Sequence, residues 1–225
     1  MPHADQALGQ LARQIPGATA VFHRHALDFC CGGNKSLRAA AGERGLDAEA
    51  IAAELAVLPS AQDAGVHDWG QASQRELMNH ILVRYHAVHR EQLPELIRLA
   101  RRVEQVHGDR PDCPHGLADH LQEMQQELES HMQKEEQVLF PMLSRGHGAL
   151  ARMPIQVMRH EHDHHGEALQ RLGALTTDFQ PPRAACTTWC ALYLGLRTLR
   201  DDLMAHIHLE NNILFEDAVH APAHA

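Results

Sequence analysis

MRHEHDHHGEALQRL, residues 158–172, carries four histidines and two incompatible readings. Read as H-E-x-x-H, it is the zinc-protease helix signature, with His160 and His164 as ligands and Glu161 as base. Read as successive turns of a bundle helix, it is a seam: Ile155, Met158, His162, His165, Leu169 and Leu172 step by three and four. The stripe that the protease reading needs, Gln156, His160, His164, Glu167 and Arg171, is polar throughout. Residues two apart on an α-helix point about 200° away from each other, so the two histidine sets occupy opposite faces. The apolar stripe must be the buried one. His162 therefore faces inward, and the short protease match is accidental.

The seam recurs. Leu82-x3-His86-x2-His89-x3-Leu93-x2-Leu96 matches Met158-x3-His162-x2-His165-x3-Leu169-x2-Leu172 at a shift of 76 residues. Leu128-x2-His131-x3-Glu135-x2-Val138-Leu139-Phe140 matches Leu203-x2-His206-x3-Glu210-x2-Ile213-Leu214-Phe215 at a shift of 75. Two helical hairpins thus carry one pattern, and the simplest architecture is an antiparallel four-helix bundle with pseudo-twofold symmetry.

The surrounding sequence agrees with an all-α fold. Leu, Ala, Glu, Gln and Arg dominate, and alternating β-branched runs are missing. Breaks at Pro16-Gly17, Cys31 to Asn34, Pro59-Ser60, Gly108 to Pro114, Gly146 to Gly148, Pro154 and Pro181-Pro182 predict a small helical domain over 1–60. They predict long helices over 73–106, 115–144, 154–176 and 183–218, within a bundle domain spanning 73–219.

Bulk properties narrow the function classes. The net charge is −9, and no Lys/Arg block concentrates positive charge, which excludes nucleic acid and anionic membrane as partners. No apolar run is long enough to span a membrane, and the first residues lack a signal-peptide layout, so a cytoplasmic location is expected. Five cysteines, two of them adjacent, do not form a secreted disulfide framework. The abnormal quantity is histidine: 20, as many as Lys and Arg together.

Four of these histidines lie in phase with a seam: His86 with Leu82, Leu93 and Leu96; His131 with Leu128, Glu135, Val138 and Met142; His162 as above; His206 with Leu203, Glu210 and Ile213. One buried histidine is more often a hydrogen-bonded core residue than a ligand. Four, with two carboxylates one turn beyond His131 and His206, need another explanation. An ionised glutamate in an apolar interior costs several kcal/mol unless a positive charge meets it. His-x3-Glu places an imidazole and a carboxylate on one face, so two such pairs and two further histidines suit two metal ions. Imidazole mixed with carboxylate favours iron or manganese, with zinc a lesser candidate. If both glutamates bridge, octahedral iron keeps room for an oxo or hydroxo bridge and an exchangeable ligand.

This repeat resembles the haemerythrin-like four-helix di-iron proteins. DFCCGG (28–33), followed by a bundle containing RYHAVHREQLPEL and SHMQKEEQVLFPM, resembles the repair-of-iron-centres family over almost the whole chain. The resemblance implies a haemerythrin-like bundle holding two irons, oxo- or hydroxo-bridged, on His86, His131, Glu135, His162, His206 and Glu210. It implies a role in restoring iron-sulfur clusters damaged by nitric oxide or oxidants, with damaged iron-sulfur proteins as partners and the di-iron centre as iron source. Binding, sensing or reduction of NO or O2 at the centre is the alternative. Reversible oxygen carriage is disfavoured, since oxygen-carrying haemerythrins use five histidines.

Other positions take lesser roles. His89 and His165 are expected beside the ligands or as packing residues, while Glu127 and Glu161 either orient imidazoles, line an access path or are merely solvated. Cys30 and Cys31 are the catalytic candidates, with His23 and His25 nearby. Their bland reading is two half-buried thiols at a helix end that Gly32-Gly33 caps in the left-handed conformation. Cys113, Cys186, Cys190, Trp69 and Trp189 are assigned to packing or incidental surface, and a homodimer through the N-terminal unit stays open.

Overall fold

The computed structural model describes residues 3–30, 32–58, 68–147 and 150–220. Cys31 lies outside the described residues. Four short helices open the chain: α1 (Leu8–Gln14), α2 (Ala18–Arg24), α3 (Leu37–Glu43) and α4 (Ala48–Ala56). Local chemistry sets their starts. Ser36 Oγ accepts from the Ala39 amide and Asp47 from the Glu49 and Ala50 amides, satisfying donors that a helix start leaves unpaired. Leu8, Leu11, Phe22, Phe29, Leu37, Ile51 and Leu55 are buried in an apolar cluster that these helices share.

Four long helices follow. The first, α5 (74–107), begins with a capping box between Ser73 and Glu76. It runs as an α-helix to Ile81, a π-helical turn at Leu82–His86, and an α-helix again from Ala87–His107. The second, α6 (117–144), has its π turn at Glu135–Leu139, and the fourth, α8 (187–220), at Glu210–Leu214. The third, α7 (Arg152–Leu175), is α-helical throughout. Helix α5 packs against α6 and α8, and α7 closes the ring by packing against the same two.

The π turns correct one expectation. A strict 3.6-residue phase puts Val138 on the α6 seam, yet Val138 is 50% exposed and Leu139 is buried. A π turn inserts one residue into the helical repeat, so the apolar stripe slips by one position beyond it. Glu135 and Glu210 each open such a turn.

The bundle interior is layered. One apolar cluster, including Leu93, Leu96, Leu128, Leu172, Trp189 and Leu203, fills one end and takes in Cys30 of the N-terminal segment. A second, including Ile81, Tyr85, Leu139, Met158, Leu214 and Phe215, fills the other. Between them lies a belt of buried His and Glu side chains. No helix among the described residues is long and apolar enough to cross a membrane.

Candidate metal centre

The belt contains all six residues expected to hold metal. His86, His162, His206, Glu135 and Glu210 have no exposed surface, and His131 has 1%. They form two groups of four, His86, Glu135, His206, Glu210 and His131, Glu135, His162, Glu210, whose ligand atoms all lie within 4.8 Å of one another. Both glutamates belong to both groups. Each group takes its histidines from different hairpins, α5 with α8 and α6 with α7. The pseudo-twofold that relates the hairpins exchanges the two groups.

Whether the donors suit cations is decided by what they lack without them. His86 Nε2 and His206 Nε2 are 3.2 Å apart, and His131 Nε2 and His162 Nε2 are 3.0 Å apart. Two nitrogens bound at about 2.1 Å to one cation, at right angles, are about 3 Å apart. Both oxygens of Glu135 and Oε2 of Glu210 are buried with no hydrogen-bond donor. Left that way, such groups cost roughly 1–3 kcal/mol each, and more when charged. Burial and the neighbouring Glu210 hold the Glu135 carboxyl well above the usual range. Burial pushes Glu210 the same way, but His206 and His162 outweigh it and hold Glu210 well below that range. Burial brings His206 down to about 4. Two carboxyls in one dry site are thus driven apart in protonation, the expected result of too little positive charge, and a cation displaces that proton. The residues fit a metal centre.

The outer sides of the imidazoles are also organised. His86 Nδ1 donates to Glu136 Oε1 at 2.8 Å, and Arg90 donates to that oxygen at 2.8 Å. His131 Nδ1 donates to Glu161 Oε2 at 2.9 Å, and Lys134 pairs with the same carboxylate. His162 Nδ1 donates to Asn211 Oδ1 at 2.8 Å. His206 has no Nδ1 partner, and Tyr85 stacks on its ring at 5.3 Å and 5°. Fixing the Nδ1 proton outward leaves Nε2 bare toward the centre, the form a metal takes. Glu161 is therefore an orienting residue for His131, on the neighbouring helix. Glu136 and Asn211 escape a reading of the seams alone. They were recoverable from the repeat: 136 and 211 differ by the same 75 residues as His131 and His206, and Tyr85 and Glu161 by the same 76 as His86 and His162.

His89 and His165 are buried one turn from the ligands and belong to neither group. Burial, with His206 and His86 nearby, holds His89 well below its ordinary value, and burial with His131 and His162 brings His165 to about 2. Both are neutral. His160 and His164 are exposed on the outer face of α7, with rings 4.4 Å apart. Glu127 is exposed.

Cys30 is 3% exposed, and its backbone N–H and thiol both donate to Asp28 Oδ1, at 3.1 and 3.2 Å. His25 pairs with Glu54, and His23 lies edge-on to Phe29 and 3.6 Å from Asp201. Gly33 is not left-handed, contrary to the capping reading at that position. It is required by crowding: a Cβ there would sit 2.6 Å from the Phe29 carbonyl and 3.0 Å from Asn212 Oδ1. This segment is tied to α8, since Asn211 Nδ2 donates to the Cys30 carbonyl at 3.2 Å and Asn212 Nδ2 to the Phe29 carbonyl at 3.4 Å.

A four-helix ring with a buried belt of histidines and shared carboxylates defines a cation-binding bundle. Residues 77–218 match the family model described as Hemerythrin HHE cation binding domain, and the chain belongs to that family. Residues 4–58 match a second model, described as Domain of Unknown function (DUF542). The chain is 52% identical over 219 residues to the iron-sulfur cluster repair protein YtfE of Dickeya chrysanthemi (strain Ech1591), covering 97% of this chain and 99% of the relative. The proteins of that name from Citrobacter koseri (strain ATCC BAA-895 / CDC 4225-83 / SGSC4696) and Escherichia coli O157:H7 are 52% and 51% identical over the same shares.

Proposed function

We propose that this protein holds two iron ions and restores iron-sulfur clusters damaged by nitrosative or oxidative stress, supplying iron to the damaged protein. One observation carries the metal reading: two glutamates, both fully buried, are each common to two groups of converging imidazoles. A single ion would leave one pair of histidines, and part of the carboxylate charge, without a partner. Imidazole and carboxylate donors without thiolate suit iron. The names of the relatives carry the repair reading.

The chain's own residues divide the work. His86, His131, His162 and His206 supply nitrogens, Glu135 and Glu210 join the two positions, and Glu136, Glu161 and Asn211 orient the rings. When bound, iron supplies redox chemistry and a cargo that can be passed on. The unit over 1–60 contributes Cys30, whose carbonyl accepts from Asn211 of the bundle over 73–219, and Cys31, and in this reading their thiols act on iron leaving the centre. Free thiols at Cys113, Cys186 and Cys190 suit a reducing cytoplasm. The test follows iron from the loaded protein into a cluster enzyme damaged by nitric oxide. Native protein restores the cluster absorbance and loses iron in step, while Cys30→Ala/Cys31→Ala slows the transfer. Iron that stays on the protein while the cluster remains damaged contradicts the proposal.

A second reading, binding or reduction of NO or O2 at the centre, is favoured by His89 and His165. Both rings are neutral and buried, and both nitrogens of His89 and Nε2 of His165 lack partners. They would donate to a small ligand held on the core side.

A further inference from the structure

The repeat places Asn211 where the first hairpin has Glu136, and both accept the Nδ1 proton of a belt histidine. A carboxylate would do that as well or better. Asparagine differs in having a second, donating arm, and that arm reaches the Cys30 carbonyl. Asn211 is 7% exposed, its own carbonyl accepts from Arg159 at 3.1 Å, and its amide is bonded on both arms, so backbone and side chain are both held. We propose that Asn211 is a positioning residue that couples metal binding at His162 to the seating of the Cys30 turn.

The coupling follows from the run of bonds from His162 Nδ1 through the two arms of the Asn211 amide to the Cys30 carbonyl. A cation on Nε2 anchors the ring, the anchored ring holds the amide oxygen, and the amide nitrogen is thereby held toward the Cys30 carbonyl. Without a cation the ring loses that anchor, and the amide and the turn behind it are held less firmly. Metal binding seats the Cys30 turn, and by linkage an unseated turn weakens the metal.

The proposal rests on the metal reading above, and the experiment separates the two. Backbone hydrogen exchange over 27–30 is measured in the full chain, metal-free and loaded with iron(II), for native protein and Asn211→Asp. The aspartate keeps an acceptor for His162 and removes the donor to Cys30. Loading slows exchange in the native protein by about fivefold or more, the lower bound for typical site coupling, and leaves Asn211→Asp nearly unchanged at the same iron content. Equal slowing in both overturns the coupling. So does native protein that binds iron with no slowing, a result independent of how the variant folds. Native protein that binds no iron overturns the coupling and the metal reading together, and iron content is read on the same samples.

Discussion

The two hairpins supply the same ligands but back them differently. In the first, His86 and His131 rest on Glu136 and Glu161, which are 28% and 21% exposed and reach Arg90 and Lys134 at the surface. In the second, His162 and His206 rest on Asn211 and the Tyr85 ring, both buried. Helix α1 packs on the π turn of α8, and Asn211 and Asn212 bond the chain at Phe29 and Cys30. A carboxylate needs water or a cation, and the half of the bundle that the N-terminal helices cover offers less of both. The repeat therefore preserved the donors facing the metal, and the groups behind them diverged where a second surface was laid on.

The largest effect should come where the halves are equal. Glu135→Ala and Glu210→Ala each remove a carboxylate from both groups, so metal analysis of the purified variants should find most of the metal lost in either case. Retention of one full equivalent in one variant only would mean that the glutamates are not shared. Next come Leu214→Ala and Ile213→Ala, each expected to lower stability by about 2–5 kcal/mol in chemical denaturation because both side chains are buried. Glu136→Ala and Glu161→Ala should each weaken metal binding by roughly 10–100-fold, read by chelator competition, with rings left unoriented but donors intact. The smallest effect is expected for Val138→Ala, within about 0.5 kcal/mol, although Val138 and Ile213 share one repeat position. A loss as large as that of Ile213→Ala would place the π turn of α6 wrongly.

Much of this was legible in the sequence. Histidine on a seam of Leu and Met, repeated at shifts of 76 and 75, gave the bundle, the inward face of α7 and the six donors that the structure brings together. The family expected from DFCCGG and the repeat is the one that the relatives represent. What escaped did so for physical reasons. Val138 was placed inward because a fixed 3.6-residue phase has no term for a π turn. Glu136 and Asn211 lie off the seams, and their role depends on which helix stands opposite, which spacing within one helix does not encode. The bland alternative for Gly32-Gly33, a left-handed cap, is the commoner use of glycine, whereas the crowding of Gly33 by Phe29 and Asn212 appears only in three dimensions.

Stepwise addition of iron(II) to the metal-free protein without air, followed by metal analysis after desalting, tests the central claim most directly. Native protein and His160→Ala/His164→Ala should both saturate at two irons per chain. Saturation at one ion, or loss of the metal when the exposed pair is removed, would contradict a dinuclear centre on the buried seam.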